Sequence, residues 1–461
     1  MHALELDLPS PASVSLVVGS LAVGLIIGWR YIRLHPFGKP SKAVKESESV
    51  KQREWGQWDP VLFPYPPINA SPNPMDLKPI PYRPFRWGAY HVTMGIREMP
   101  WDEWMELDDR MTAYFYIKKH RIATRGINAI RILPDRHDDN VQAKSASQSA
   151  IELVHELAQY VSKRYPEAFS VSCDAESGFI SHITIVPVNH TFQLPSPLLA
   201  KGSLVLRNVS LEEGEEALKI AVLLVQDDLA LMVEGTDGRY YFQGGFWRLQ
   251  DKIGLSLEEI HVEGNVPQYE KRLQVGMNRH FQRMSVDKPV IRNNYSIQVV
   301  PPEHVRLPGT DLSSLDPILD DDRFFDPEEL SWSSYANGPE DTFPHGNRYP
   351  VVSEKPELIV VSPENLRMRS ERQTLRRLPL TGAIVFAIRT YTFRLQDLAT
   401  EPGVPARMAS AIRSWPMDVR KYKGAKVYEK AVLEYLDRAA EKQLQEGGEQ
   451  MANDRGNKYP Y

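Results

Sequence analysis

The hydrophobic pattern is most uneven at the start of the chain. Ala12 to Trp29 runs without a single charge. As a helix it would span about 27 Å, close to the roughly 30 Å hydrocarbon core of a bilayer. Glu5 and Asp7 precede the run, and Arg30, Arg33, Lys39 and Lys42 follow it. The positive-inside bias then puts the C-terminal side in the cytosol. Met1 to Ser10 lacks the basic n-region of a cleaved signal peptide. The pattern therefore predicts a single-pass membrane anchor over residues 1–34. The expected location is the endoplasmic reticulum, with the body facing the cytosol. Residues 35–84 are rich in proline (PFGKP, PYPPINASPNP, PIPYRP) and are expected to act as a semi-rigid linker without helix.

Beyond the linker the periodicity alternates between helix and strand. Met99 to Ala123 reads as helix, with Asp102 as N-cap residue, and so does Ser145 to Arg164, whose Ile151, Val154, Leu157, Ala158 and Val161 form one stripe. Ile220–Val225, Leu229–Val233 and Tyr240–Gly244 read as strands, with Glu234 to Gly238 as a turn. Trp247 to Ile260 looks helical. Val290–Val300, Glu357–Val361 and Gly382–Leu395 complete the strand candidates. Val404–Trp415 and Lys426–Leu444 return to helix, and residues 446–461 are polar and expected to be disordered. Asp311 to Asp341 holds ten acidic residues and one arginine, and reads as a solvated insertion.

Composition narrows the function. The chain has 461 residues, 42% hydrophobic and 25% charged, which is ample for a sizeable core. Its net charge of −5 argues against a dedicated nucleic-acid binder. The lone cysteine, Cys173, excludes an intrachain disulfide and a protein-held iron–sulfur cluster. There is no G-x-G-x-x-G after a strand, no phosphate-binding loop, no H-E-x-x-H and no nucleophile elbow. A redox enzyme of this sequence would draw its electrons from another protein.

Five blocks, in order, carry a resemblance. They are Met94-Gly95-Ile96-Arg97 with Trp101, Trp104, Leu107 and Asp108; Val225-Gln226-Asp227-Asp228-Leu229; Phe246-Trp247-Arg248 with Lys252, Gly254, Ile260-His261, Val266-Pro267 and Tyr269; Pro289 to Ser296; and Glu371 to Pro379 with Phe386 to Tyr391. Over Phe85 to Leu436 the chain resembles the haem-dependent oxidative N-demethylase alpha-subunit-like family, whose fungal members are called the HRQ family. The resemblance implies an α+β fold, a PAS-like antiparallel sheet with flanking helices, in a catalytic domain over residues 85–445. It implies haem b as cofactor. It further implies a monooxygenase-type oxidative N-demethylation of a small amine. Electrons would come from NADPH through a separate flavin or iron–sulfur reductase.

Such chemistry needs an axial ligand, partners for the haem propionates and a polar group near bound oxygen. Cys173 lacks the surroundings of a thiolate ligand, so histidine is favoured. His261, at a helix end, near Pro267 and inside a matching block, is the leading candidate, with His182, His190 and His280 next. Asp227 and Asp228 are candidates for holding an amine cation or relaying protons; the alternative is a turn with solvated carboxylates. Arg248 and Lys252 stand one helical turn apart and are candidate propionate partners, as are Arg292, Arg372, Arg376 and Arg389. The alternative for each is a structural ion pair. Asn294 and Gln373 are candidates for a buried polar network, and Trp247 for the pocket wall. The runner-up function is a non-catalytic PAS-like haem sensor or carrier.

Overall fold

The computed structural model describes residues 53–138, 140–200, 203–246, 252–300 and 361–452. The expected anchor, the acidic segment, Trp247 and Arg248 lie outside them. Among the described residues no helix is long and apolar enough to cross a membrane.

The strands are β1 (Arg97–Glu98), β2 (Ile130–Ile132), β3 (Arg136–Asp138), β4 (Val141–Ala143), β5 (Phe169–Cys173), β6 (Ile180–Ile185), β7 (His190–Gln193), β8 (Asp228–Glu234), β9 (Tyr240–Phe246), β10 (Val290–Val299), β11 (Leu366–Arg377) and β12 (Ile384–Arg394). Seven of them form the central sheet, in the order β1-β10-β11-β12-β8-β9-β2. Every registered pair in it is antiparallel. The helices are α1 (Met111–Arg125), α2 (Ser147–Arg164), α3 (Leu211–Leu224), α4 (Leu257–Glu263), α5 (Gln274–Arg283), α6 (Leu395–Thr400), α7 (Val404–Arg413), α8 (Met417–Tyr422) and α9 (Ala425–Ala452), with a π-helical turn, Tyr269–Leu273, leading into α5. The fold is thus α+β with antiparallel sheets.

Strand register sets two cores on the same face of the sheet. In one, α1, α2 and α3 bury residues such as Phe115, Leu157 and Leu218 against Leu229, Leu231 and Val385. A second core gathers the C-terminal helices over Tyr295, Ile297, Leu366 and Met368. The expected strand Ile220–Val225 is instead the end of α3. Ser210 caps that helix by accepting from Glu213 N, and the helix is wedged so closely that a Cβ on Gly214 would meet Ser147 Cα at 2.6 Å. Tertiary packing overrides the β-branched run there. The expected helix Trp247–Ile260 starts late as well. Ser256 and Glu259 form a reciprocal capping box, so α4 begins at Leu257 and extends to Glu263. The helix expected from Met99 resolves into a short 3₁₀ turn, Trp101–Glu103, and α1. Asp102 caps neither; it accepts from the Asn69 backbone and side chain. The C-terminal helix continues to Ala452, past the expected start of the tail.

The proline-rich stretch does not behave as a spacer over residues 54–84. It holds one 3₁₀ turn, Pro74–Asp76, and lies along the body. Trp58 Nε1 donates to Pro379 O at 2.8 Å, and Val61 N donates to the same carbonyl at 3.0 Å. Gly382, in the β11–β12 turn, has φ +72°, and a Cβ there would sit 2.4 Å from the Trp58 ring. Only glycine meets both demands.

Candidate functional site

Side chains alternate across a strand, so neighbours on β11 serve opposite faces of the sheet. Arg369, Glu371, Gln373 and Leu375 line a cavity of about 530 Å³. Register brings Asn294 opposite Glu371 and Arg292 opposite Gln373 on β10, and Ile388 opposite Gln373 on β12. All three also line the cavity. The facing wall comes from α4, the π turn and α5: Leu257, Ile260 and His261, then Leu273, Met277, His280 and Phe281 at helical spacing. Tyr90, Val92 and Met94 close one side, and Val419, Tyr422 and Lys423 another.

His261 is fixed by its own helix. Its Nδ1 lies 2.7 Å from Leu257 O. A carbonyl only accepts, so Nδ1 carries the hydrogen and Nε2 keeps the lone pair. The ring stacks on Tyr269, with centroids 4.7 Å apart. Burial lowers its pKa, although the bond to Leu257 and the neighbouring Arg292 also act on it, and the ring is held neutral. A neutral imidazole with one nitrogen pinned by a carbonyl is the form in which histidine binds metal. His280 is the other cavity histidine. Its Nε2 is buried without a hydrogen-bond partner, and burial lowers its pKa.

The opposite quality of the cavity is a cationic end. Arg292 is pushed down in pKa by burial, against the pull of Glu371, and its Nε has no partner. Arg369 pairs with Glu371 at 2.6 Å, and Gln373 Nε2 donates to the same carboxylate at 2.9 Å. Burial alone would raise Glu371, but Arg369 and the hydrogen bonds from Arg369, Gln373 and Asn294 hold its pKa below the ordinary value. Lys423 donates to Tyr295 O, and burial pulls its pKa down to about 8. Arg292, Arg369 and Lys423 gather at this end around Glu371, and Asp228 also acts on Arg369 from β8. Cationic side chains grouped at one end of a buried cavity suit an anionic group there.

The remaining candidates separate by face. Lys252 lines the cavity and pairs with Glu263 at 3.1 Å. Arg372, Arg376 and Arg389 lie behind the sheet. They pair with Glu106 at 3.0 Å, Glu156 at 2.8 Å and Asp108 at 2.7 Å. The structural alternative holds for these three arginines. Asp227 is fully buried behind the sheet, near Arg372, Arg389 and Lys118, and neither carboxylate oxygen has a hydrogen-bond partner. Burial raises its pKa to about 6. Asp228 pairs with Ile388 in register but is not among the cavity residues; burial raises it to about 6, opposed by Lys118. Asp227 therefore does not face the cavity, and the carboxylate that does is Glu371. Glu371, Arg369 and Lys423 were not singled out from the sequence. A strict period-two reading of RMRSERQTLRR separates Arg369 and Glu371 from Arg372 and Arg376; Lys423 has no such signal.

These residues fit a haem. The volume falls in the range of about 300–1,000 Å³ typical of cofactor pockets. Apolar side chains such as Phe242, Leu257, Met277, Phe281 and Phe386 suit a macrocycle. A neutral histidine suits iron, and the cationic end suits propionates. Sheet and cavity together define an α+β protein with a cofactor pocket between an antiparallel sheet and a helical wall. The family model described as haem-dependent oxidative N-demethylase, alpha subunit-like, matches residues 95–433, and the chain belongs to that family. It is accordingly an oxidoreductase of the haem-dependent type. The match begins just after Met94, so Tyr90, Val92 and Met94 of the cavity lie outside it.

Proposed function

We propose that this chain is the haem b-binding, oxygen-activating subunit of an oxidative N-demethylase. The observation that carries the reading is that His261 and the Arg292–Arg369–Lys423 group line one cavity. The order β10-β11-β12-β8-β9, with the first of these strands in the chain beside the last, supports a PAS-like core.

Nε2 of His261 would hold the haem iron, with Leu257 O fixing the tautomer. Arg292, Lys423 and Arg369 would hold the propionates, and Glu371 keeps Arg369 in place through its 2.6 Å ion pair. The haem iron supplies oxygen binding and activation when present. The net reaction is R₂N–CH₃ + O₂ + 2e⁻ + 2H⁺ → R₂NH + CH₂O + H₂O. The methyl carbon is oxidised and dioxygen is reduced. The chain's own part is to exclude water with its apolar wall and to hold the reacting groups together. With no free carboxylate among the described cavity residues, an amine is best accommodated beside that wall, with Glu371 as the nearest anionic group on the lining.

The electrons would come from a reductase subunit drawing on NADPH, in keeping with the alpha-subunit description and with the lack of nucleotide motifs. The uncharged run Ala12–Trp29 and the basic residues after it favour a single-pass anchor with the body in the cytosol, in the endoplasmic reticulum. The test is reconstitution of the full chain with haem, followed by oxygen uptake with a surrogate reductase and a panel of N-methyl amines. Amine-dependent formaldehyde supports the reading. A Soret band with no turnover on any amine favours a haem sensor instead.

A further inference from the structure

The helical wall of the cavity has a second face. Along the π turn and α5, Leu273, Met277, His280 and Phe281 point into the cavity. Arg272, Val275, Arg279 and Arg283 follow at intervals of three and four on the outer side and are exposed, as is Lys271. Residues at such spacing share one side of a helix. Among the described residues, none of the four basic side chains forms an ion pair. Basic residues elsewhere on the surface are commonly paired, as Arg420 is with Glu429 at 2.6 Å and Arg136 is with Asp138. Glu270 is the only acid in the same stretch. Val275, 68% exposed, stands in the middle of the stripe. The stripe is thus a basic surface with one apolar residue in it, suited to electrostatic recognition of an acidic partner.

We propose that this outer face is the docking surface for an acidic electron-donor protein. The proposal rests on the haem reading above. A donor seated there is separated from the cavity by one helix, about 10–12 Å including side chains. Its reduced flavin or iron–sulfur centre gives up two electrons per turnover, one at a time. With two protons from solvent they reduce one oxygen atom of O₂ to water, while the other oxidises the methyl carbon. Opposite charge on the donor raises the encounter rate and sets its orientation. A helix built to lie on an anionic membrane would bury a broad apolar face of Trp, Phe or Leu, and this face offers a single valine.

The experiment compares the full-length protein with the Arg279→Glu/Arg283→Glu double variant and with Lys219→Glu, a charge reversal on α3 behind the sheet. An acidic plant-type ferredoxin serves as the donor probe. Stopped-flow reduction of the haem-loaded proteins by ferredoxin is expected to slow by about tenfold or more in the double variant at low salt. The difference should shrink as salt screens it, and Lys219→Glu should match wild type. Reduction by dithionite should be equal in all three. Calorimetric titration of ferredoxin into the haem-free proteins reads the same surface without the cofactor. If wild type takes up no haem, the haem reading fails, and that titration still decides the docking surface. Equal ferredoxin affinity and rate in wild type and double variant would overturn the proposal. So would loss of binding to phosphatidylserine vesicles with ferredoxin binding unchanged, or a wild type that shows no salt-dependent association with ferredoxin.

Discussion

Arg389 and Asp108 meet at 2.7 Å behind the central sheet, with their side chains 1% and 5% exposed. Asp108 also accepts from Gln226 Nε2 at 2.8 Å and from Arg110 N at 3.0 Å. Burial would raise the Asp108 pKa, but Arg389 and these bonds hold it below the ordinary value. Removing one partner of such a pair leaves a buried charge uncompensated, at a cost of about 3–5 kcal/mol. Arg389→Leu should therefore lower the urea midpoint sharply. Below that midpoint its haem spectrum should match wild type, because Arg389 is not a cavity residue. A shifted Soret band in the folded variant would return Arg389 to the cofactor.

Asp227 gives a pH signature. Its folded pKa of about 6 stands above the ordinary 3.8 because burial disfavours the charge. Between those values the native state binds more protons than the unfolded one, so stability falls as pH rises from about 4 to about 6 and stays lower above that. The span corresponds to roughly 3 kcal/mol. Asp227→Asn should lack this fall, so its stability relative to wild type should improve across that window. Denaturant titrations at pH 4, 5, 6 and 7 measure it. A parallel pH dependence in both proteins would show that the carboxylate is ionised throughout.

At the cationic end, Arg292→Leu and Lys423→Met each remove a charged donor from the proposed propionate site. Charge-assisted hydrogen bonds contribute about 1.5–3 kcal/mol, so haem should dissociate about tenfold to a hundredfold faster from each variant. Transfer to an apo-globin acceptor reads the rate. Lys423 titrates near pH 8, and its neutral form attracts no anion, so haem affinity of the wild type should decline as pH rises through that value. Lys423→Met should flatten the decline. Unchanged dissociation in both variants would place the propionates elsewhere.

How far the site could be read in advance is clearest at Arg372 and Gln373. They are adjacent and stood as equal candidates, yet one pairs with Glu106 behind the sheet and the other bonds Glu371 in the cavity. Residue type marked the segment, and only strand register assigned the faces. β8, β9, β10 and β12 were legible because alternation and a turn at Glu234–Gly238 are local signals. α3 was not, since its β-branched residues favour strand and its helix depends on packing against α2. The place of His261 on the cavity wall follows its block and helix-end position, whereas Lys423 reaches the cavity from α8's C-terminal side by tertiary contact alone. Asp227 is an acid between apolar runs, a setting that does not tell which face of the sheet it serves; it lies behind the sheet near Arg372 and Arg389.

The central claim is that haem iron is bound in this cavity by His261. The direct measurement is the visible spectrum of the ferric protein during haem titration, for wild type, His261→Ala and His280→Ala, with and without added imidazole. The account predicts a wild-type Soret band that His280→Ala retains. It predicts that His261→Ala loses or shifts the band and that imidazole restores it. A wild-type spectrum in His261→Ala, with the band lost instead in His280→Ala, would contradict the account and assign the iron to the other wall histidine.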